Sequence, residues 1–515
     1  MPSEENQEKL LFYIKKHKLA IALTLLVFLV SFLIRIQGPL NHGYPIGWAD
    51  SQVHTHRMLL LTRNPKLFFT TMFGLEKNPP QEYPYNGEVA GFWLTNMNPP
   101  LLYIIATPFL ILKDILIGYT VAVFLSSLGI SIVFLFIYRF TKDHIISLIS
   151  SLLLAFNPAE IWYWQQGAWT SLIGVVLLPL GIWFLYDFLE GKCSFKRAIL
   201  GNSLILLSYF VAIIPLIFSS IFYITFKRSY KNLINIIKIF LISLLIASPF
   251  LYASLFSRLS VSSGKTVLEE FEYLISPSTP TGGTLQLMPI WLYFLAAFGI
   301  LLGIKFRKDY QILFFYFIGI FTMFLFSFIA LKLNIPLTHW FTRLYVLLPQ
   351  LCTITFGFCL VFIKKFFIPS KKLYDIVYKI SLFVILIIFI YLMYPQLSFV
   401  VNRHAQMTDQ KYDAIVWIRE NTNEDSRVLF FNPYEFNGYD WTSLSYRNNK
   451  QLSFDEAKQT IESNKLSESY LDYDYVIITD FDMEKGSSFL DVSKSLFLNS
   501  GYKEVYSNDE VLILS

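Results

Sequence analysis

The chain has 515 residues, of which 54% are hydrophobic and only 15% are charged, whereas an average soluble protein carries about 25% charged residues. With 50 Phe and 31 Tyr, this composition excludes a disordered, collagenous or coiled-coil protein and predicts a polytopic membrane protein. The net charge of +5 is uneven, because residues 401–515 contain 11 Lys and Arg against 20 Asp and Glu. The basic excess lies in residues 1–400 and is typical of cytoplasmic loops, so it predicts no nucleic-acid partner.

Eleven membrane spans are predicted. Four Lys residues precede an apolar run at about 19–37, which meets the roughly 20 residues needed to cross a bilayer and enters it from the cytoplasm. Five later basic clusters are predicted to be cytoplasmic, so the spans between them come in pairs: Arg139–Lys142, Lys192–Arg197, Lys227–Lys231, Lys305–Lys308 and Lys364–Lys372. The other spans are predicted from about 117, at 145–158, at 169–189, twice within 198–226 with a break near Ser208–Tyr209, and at 233–256, 289–304, 310–330, 339–363 and 373–395.

Three loops are predicted on the outer face. The first, 38–115, contains the apolar run 99–112, which begins with two prolines and is shorter than a span. We therefore expect an interfacial or re-entrant helix there. The second loop, 158–168, is rich in Trp, and the third, 257–288, is rich in Pro, Gly and Thr and is expected to be flexible.

The fold class predicted is thus a polytopic α-helical membrane domain, residues 1–400, followed by an extracytoplasmic α/β domain, residues 401–515. Apolar periodicity in the second domain predicts two helices, two strands and one hairpin. The helices are Lys411–Glu420 and Ser487–Leu498, the strands are Arg427–Phe431 and Tyr475–Thr479, and the hairpin pairs Tyr502–Tyr506 with Val511–Leu514.

The first outer loop opens with candidate catalytic residues. If Asp50 begins a helix, His54 lies about 40° from it and Arg57 about 20° away on the other side. A carboxylate, an imidazole and a guanidinium would then share one face, where the carboxylate can accept a proton and the guanidinium can bind a phosphate. The alternative is that Asp50 caps the helix and the three side chains are solvated.

Two other segments carry candidate residues. In the second outer loop, Glu160, Trp164 and Gln165 could form a wall that binds a sugar or acceptor; the alternative is an interfacial aromatic belt. His339 and Arg343 are four residues apart and share a helix face. Arg343 lies about one turn into an apolar helix, where a phosphate would offset the cost of its charge. The alternative is that Arg343 snorkels to the interface.

This layout resembles the GT-C superfamily of membrane glycosyltransferases that use polyprenyl-phosphate sugars. Within it, the pattern of Gly47, Asp50, His54 and Arg57 looks most like poorly characterised archaeal and bacterial members labelled 6-pyruvoyl-tetrahydropterin synthase-related. The resemblance implies that Asp50 is a general base or a ligand of a divalent metal such as Mg²⁺ or Mn²⁺. It also implies that Arg343 binds the donor phosphate.

The chain departs from parts of the superfamily. Gly438–Trp441 does not match the WWD signature of the oligosaccharyltransferases, which disfavours transfer onto protein Asn. Ser51 follows Asp50 where the protein mannosyltransferases have an Asp-Glu pair. Gln165 and Gln166 stand where several members have a second-loop acid, unless Glu160 serves as that acid.

The function predicted is inverting transfer of a sugar from a polyprenyl-phosphate donor in the membrane lipid to a glycan, lipid or protein acceptor. Asp50 takes the acceptor proton, and Arg343, with His339 or Arg57, binds the leaving phosphate. One alternative is a flippase or transporter of lipid-linked saccharides, which the scarcity of ionisable residues in the central spans disfavours. The other is a membrane scaffold whose C-terminal domain binds a partner.

Overall fold

The structure is a computed structural model. It describes residues 4–42, 54, 58, 61, 65–72, 101–109, 116–165, 169–209, 212–227, 231–256, 291, 292, 294, 297–299, 301, 312, 316, 321, 325, 329, 347–367, 372–401, 408–423, 425–431, 447–452, 454–479 and 489–515. Its membrane part contains helices α1 Glu4–His42, α2 Pro65–Met72, α3 Leu101–Ala106, α4 Leu116–Thr141, α5 His144–Ala155, α6 Pro158–Gln165, α7 Trp169–Leu189, α8 Phe195–Ser208, α9 Ile213–Lys227, α10 Lys231–Phe256, α11 Leu347–Phe367 and α12 Lys372–Val401.

Within these described residues, six helices are long and apolar enough to cross a membrane, or seven if α5 and α6 form one bent span. The six are His17–Gly38, Gly118–Thr141, Trp169–Leu189, Asn232–Pro249, Leu347–Phe366 and Leu373–Ser398. They confirm the matching predicted spans and a multi-pass membrane protein. Most residues of the predicted spans at 289–304 and 310–330, and all of the predicted flexible loop 257–288, lie outside the described residues. The count of eleven spans therefore stays a prediction.

The region predicted as a span at 145–158 followed by a Trp-rich loop has a different structure. Helix α5 ends at Ala155, and α6 follows at an angle of 52°. The side chain of Asn157 accepts a hydrogen bond from the backbone N–H of Ala159 at 2.9 Å. Pro158 begins α6, because proline has no N–H to continue the preceding helix but fits the first turn of a new one. Most of the predicted loop is therefore helical.

The long apolar run 198–226 is broken where the sequence predicts. Tyr209 ends α8 in an extended conformation, with φ −159° and ψ 95°, and α9 begins four residues later. Gly174 of α7 packs directly against this break. Both helices are shorter than a full crossing, which agrees with two short segments rather than one span.

Charged side chains gather at one end of the helix bundle. Arg139 at the end of α4 pairs with Asp187 of α7 at 3.3 Å. Lys364 of α11 pairs with Asp143, which precedes α5, at 2.7 Å and with Asp375 of α12 at 2.9 Å. Two of the predicted basic clusters therefore lie on the same side of the bundle, as the predicted topology requires.

The C-terminal part is a five-stranded sheet with helices on both faces. Its elements are α13 Asp409–Asn421, β1 Arg427–Phe430, β2 Asn448–Gln451, α14 Phe454–Ser463, β3 Tyr475–Thr479, α15 Phe489–Leu498, β4 Glu504–Ser507 and β5 Val511–Leu514. The strand order is β2-β1-β3-β5-β4. Strand β1 is parallel to β2 and β3, and β5 is antiparallel to β3 and β4. The predicted helices, strands and hairpin are confirmed, whereas β2 and α14 were not predicted.

Alternate residues of the strands pack on opposite faces of this sheet. Val428, Phe430, Ile477 and Ile513 share a core with α13. Their neighbours along the strands form a second core with α14 and α15, made of Leu429, Phe431, Val476, Ile478, Leu512 and Leu514 among others. A strand buried on both faces reads as a continuous apolar run, which is why β3 and β5 were recognisable in the sequence.

Candidate functional site

A buried ion pair joins the first span to the short helix α6. The guanidinium of Arg35, three residues before the end of the span His17–Gly38, donates through Nη2 to the carboxylate of Glu160. Arg35 is 3% exposed and Glu160 is 4% exposed. Ser126 of α4 donates to the other carboxylate oxygen, Oε1, at 3.2 Å. Ionisable groups this deep in a membrane protein are costly even when paired and are candidates for a functional role.

Further hydrogen bonds fix the orientation of Arg35. Its Nη1 donates to the backbone oxygen of Ser31 at 3.1 Å, to the hydroxyl of Ser31 at 2.9 Å and to the backbone oxygen of Ala155 at 3.4 Å. Ser31 lies one turn earlier on α1, and Ala155 is the last residue of α5. The one guanidinium therefore contacts α1, the end of α5 and the first turn of α6.

Three aromatic side chains pack beside the ion pair. Trp164 and Trp169 stack with their ring centroids 5.7 Å apart, and the indole N–H of Trp169 donates to the backbone oxygen of Trp164 at 2.8 Å. The ring of Tyr119 meets Trp164 and Trp169 edge-on, at 6.2 and 5.6 Å. All three residues are buried. This packing fixes the start of α7 against the end of α6.

His54 of the first loop belongs to the same group of side chains. Its ring stacks on Trp169 with the centroids 5.3 Å apart, and its Nδ1 lies 2.6 Å from the hydroxyl of Tyr103. Tyr103 lies on α3, the short helix within the predicted interfacial run, and packs edge-on against Phe68 of α2. His54 is only 1% exposed. Segments of both predicted outer loops therefore meet here.

We refer to these side chains as the Arg35–His54 cluster, defined by Arg35, His54, Tyr103, Tyr119, Ser126, Glu160, Trp164 and Trp169. It contains three residues that the sequence singled out, His54, Glu160 and Trp164. The surroundings of Glu160 and Trp164 differ from the prediction. The carboxylate of Glu160 accepts hydrogen bonds from Arg35 and Ser126, and Trp164 is buried between aromatic rings. Neither side chain is exposed to contact a sugar in this arrangement.

The other predicted site residues are not placed by the structure. Asp50, Arg57, His339 and Arg343 lie outside the described residues. Gln165 ends α6, and its side chain is likewise outside the described part. The proposed meeting of Asp50 with Arg343 therefore stays a prediction.

Sequence reasoning missed Arg35, Tyr103, Tyr119, Ser126 and Trp169 as members of the cluster. Arg35 had a clear signal, because it stands within the apolar run 19–37, where a charge is a functional candidate. The other four are residue types common in any membrane helix. Only the packing distinguishes them.

Among the described residues, no group of three or more His, Cys, Asp or Glu side chains could hold a metal ion. Within the cluster, Glu160 is paired with Arg35, and Nδ1 of His54 is hydrogen-bonded to Tyr103. The described residues of the cluster therefore do not fit a divalent metal site.

Solved structures with the same fold were found, although no protein-family model matches the sequence and a search among curated proteins finds no match. ArnT from Cupriavidus metallidurans bound to undecaprenyl phosphate aligns with 97% of this chain and 98% of its own, with 10% identity and a TM-score of 0.53. The archaeal oligosaccharyltransferase AglB from Archaeoglobus fulgidus, in complex with an inhibitory peptide and a dolichol-phosphate, aligns with 91% of this chain and 70% of its own, with 15% identity and a TM-score of 0.51.

Both neighbours are polytopic membrane proteins of the GT-C superfamily. At these identities the likeness concerns the fold alone. It confirms the fold class predicted from the sequence, a helical membrane protein with a small C-terminal sheet region. The chain therefore shares the fold of ArnT and AglB.

Proposed function

We propose that the chain is an integral membrane glycosyltransferase that moves a sugar from a polyprenyl-phosphate donor to an acceptor. The observation that carries this proposal is the alignment of nearly the whole chain with ArnT, which was solved with undecaprenyl phosphate bound. AglB, an oligosaccharyltransferase solved with a dolichol-phosphate, supports the same class of donor. A lipid-linked donor also suits a protein whose described helices are largely apolar.

In the proposed reaction, the acceptor hydroxyl attacks the anomeric carbon of the donor sugar. Asp50 takes the proton of that hydroxyl as the new carbon–oxygen bond forms. The bond from the anomeric carbon to the phosphate oxygen breaks, and the polyprenyl phosphate leaves with the electron pair. Arg343, with His339 or Arg57, binds the charge that develops on the phosphate. One displacement without a covalent intermediate inverts the anomeric configuration.

The Arg35–His54 cluster supports the placement of the first loop in this proposal. His54 follows Asp50 by four residues in the sequence and is buried between Tyr103 and Trp169. We assign Gln165 to the acceptor or sugar side of the site. His54, Glu160 and Trp164 are assigned to supporting the site from within the protein, because all three are buried and their partners are protein groups.

Asp50 is the candidate ligand for any Mg²⁺ or Mn²⁺ that the reaction requires. Among the described residues, no group of three or more His, Cys, Asp or Glu side chains could hold a metal ion, and Asp50 lies outside them. The similarity of the Gly47–Arg57 pattern to the members labelled 6-pyruvoyl-tetrahydropterin synthase-related also stays a prediction. The acceptor is a glycan, a lipid or a protein, and transfer to protein Asn is disfavoured.

The test is sugar transfer by the purified protein in lipid nanodiscs, with a panel of polyprenyl-phosphate sugars and release of polyprenyl phosphate as the readout. We expect Asp50→Asn to lower kcat by about 100- to 1,000-fold, because it removes a general base. The matched control is Asp425→Asn, an exposed carboxylate in the C-terminal part, which should leave the rate unchanged. Undiminished transfer by a folded Asp50→Asn variant would remove Asp50 from the mechanism, and no release by the wild type from any donor would refute the proposed class.

A further inference from the structure

The buried ion pair between Arg35 and Glu160 has a consequence for the chemistry of the first loop. We propose that Arg35 and Glu160 are positioning residues that hold the His54 imidazole of the first loop in place, acting through α6, Trp164 and Trp169. This inference rests on the proposed glycosyl transfer for its kinetic effect. Its structural effect, the placement of His54, does not depend on that function.

Stability alone does not account for the ion pair. Desolvating two charges costs about as much as their attraction returns, so a buried ion pair is often no more stabilising than two apolar side chains of similar volume. Arg35 nevertheless lies within an apolar span, with hydrogen bonds to Ser31 and Ala155 as well as to Glu160. Such a pair has directional partners that apolar side chains lack. It can therefore fix the orientation of α6 against α1.

Helix α6 connects the ion pair to the aromatic side chains. Glu160 and Trp164 are four residues apart on α6 and so share one face of that helix. The backbone oxygen of Trp164 accepts the indole N–H of Trp169 at 2.8 Å, and the two rings stack. Between Trp164 and Trp169 the chain leaves α6 and begins α7. The position of Trp169 thus depends on the position of α6.

Trp169 in turn contacts the first loop. Its ring stacks on His54 with an angle of 21° between the ring planes. On the other side, the hydroxyl of Tyr103 fixes Nδ1 of His54 at 2.6 Å. A ring that is stacked on one side and hydrogen-bonded at Nδ1 is held in one orientation. Moving α6 therefore reorients the imidazole.

The labelling experiment measures this placement without any assay of transfer. Diethyl pyrocarbonate acylates accessible neutral imidazoles, and mass spectrometry resolves the modified histidines. We expect Glu160→Gln and Arg35→Ala to raise the modification rate of His54 about 5-fold or more, because loosened packing exposes a buried group. His144, at the charged end of the bundle, serves as the internal reference. The matched control variant is Asp187→Asn, which breaks the pair with Arg139 at that end and should leave the His54 rate unchanged.

The kinetic experiment separates positioning from stability. The double variant Arg35→Met with Glu160→Leu removes both charges at similar volume, so it should fold as well as the wild type even if the single variants do not. We expect its kcat to fall about 10- to 100-fold with little change in the KM for the donor, because misplaced groups slow the chemical step. In a double-mutant cycle, Glu160→Gln and His54→Ala should be strongly non-additive in kcat.

Three results would overturn the inference: an unchanged His54 modification rate in both single variants, full kcat in the stable double variant, or additive effects in the cycle. If the wild type transfers no sugar from any polyprenyl-phosphate donor, the proposed function fails. The labelling result then decides the placement of His54 by itself. The two failures are therefore distinguishable.

Discussion

Trp169 contacts three other members of the Arg35–His54 cluster. It donates its indole N–H to Trp164, stacks on both Trp164 and His54, and packs against the edge of Tyr119. Aromatic pairs of this kind are worth about 0.5–1.5 kcal/mol each beyond the area that they bury. Trp169 thus links the second predicted outer loop to the first.

A pair of conservative substitutions tests this role. Trp169→Phe keeps the aromatic character but loses the hydrogen bond to the backbone oxygen of Trp164. Trp183→Phe likewise loses an indole hydrogen bond, which Trp183 donates to the carboxylate of Asp187 at 2.7 Å. We expect each to lower the stability by about 1–3 kcal/mol, measured by thermal unfolding in detergent. Only Trp169→Phe should also lower kcat, by about 10-fold. Equal effects of the two variants on kcat would contradict the proposed role of Trp169 in linking the two predicted outer loops.

At the scale of single residues, the sequence identifies residue types but not their partners. His54 and Glu160 were singled out from the sequence, yet their hydrogen-bonding partners are 49 and 125 residues away in the chain. No local pattern connects residues so far apart. Arg35 is the one partner that a charge within an apolar run could have revealed.

Among the elements, α7 packs closely against its neighbours through glycines. Gly129 of α4 lies against Val176, and Gly174 and Gly181 of α7 lie against α8 and the residue that ends it. Small residues at helix contacts let backbones approach in a membrane, where van der Waals packing replaces the hydrophobic effect. The break at Tyr209 depends on this close approach, because Gly174 has no side chain there.

Two glycine substitutions on the same helix should differ in effect. A methyl group added at Gly174 would lie 2.3 Å from Cβ of Tyr209 and 3.2 Å from its backbone, which cannot move away easily. A methyl group at Gly181 would meet Cδ1 of Ile205 at 2.3 Å, the far end of a flexible side chain. We expect Gly174→Ala to cost about 2–3 kcal/mol of unfolding free energy and Gly181→Ala under about 1 kcal/mol. SDS titration in mixed micelles measures both, and the reverse order would refute the explanation.

Elements were predictable where the chain carries a strong local signal. Long apolar runs predicted the spans, and continuous apolar runs of four or five residues predicted β3 and β5. Strand β2 has the sequence Asn-Asn-Lys-Gln and was missed, because an edge strand with polar residues has no apolar periodicity. The bend at Asn157–Pro158 was missed although its signal, an amide before a proline, is a known turn pattern.

At the scale of the whole molecule, the arrangement of charge agrees with the proposed orientation. The pairs of Arg139 with Asp187 and of Lys364 with Asp143 and Asp375 gather at one end of the bundle. The Arg35–His54 cluster lies at the opposite end of α4 and α5. We propose that the first end is cytoplasmic, with the N-terminus, and that residues 401–515 are extracytoplasmic.

The native cysteines provide a test of this orientation. Cys193 lies between α7 and α8 and is partly exposed, whereas Cys352 and Cys359 are buried. A membrane-impermeant maleimide should therefore label one site in inverted vesicles and none in right-side-out vesicles. Desolvation by burial raises the pKa of the Cys193 thiol, so less thiolate is present at neutral pH and labelling should accelerate from about pH 7 to about pH 9. Cys193→Ser is the control, and labelling only in right-side-out vesicles would invert the topology.

The position of β5 within the sheet affects how this protein is made. Strand β5 is the latest of the five strands in chain order, yet it lies between β3 and β4 rather than at an edge. Until residues 511–514 have been synthesised, β4 has no neighbour in the sheet, and β3 has an open edge of backbone amides and carbonyls. The sheet is thus completed only after residue 514 has been synthesised. A nascent chain that has not yet reached β5 would display an incomplete sheet to proteases and chaperones.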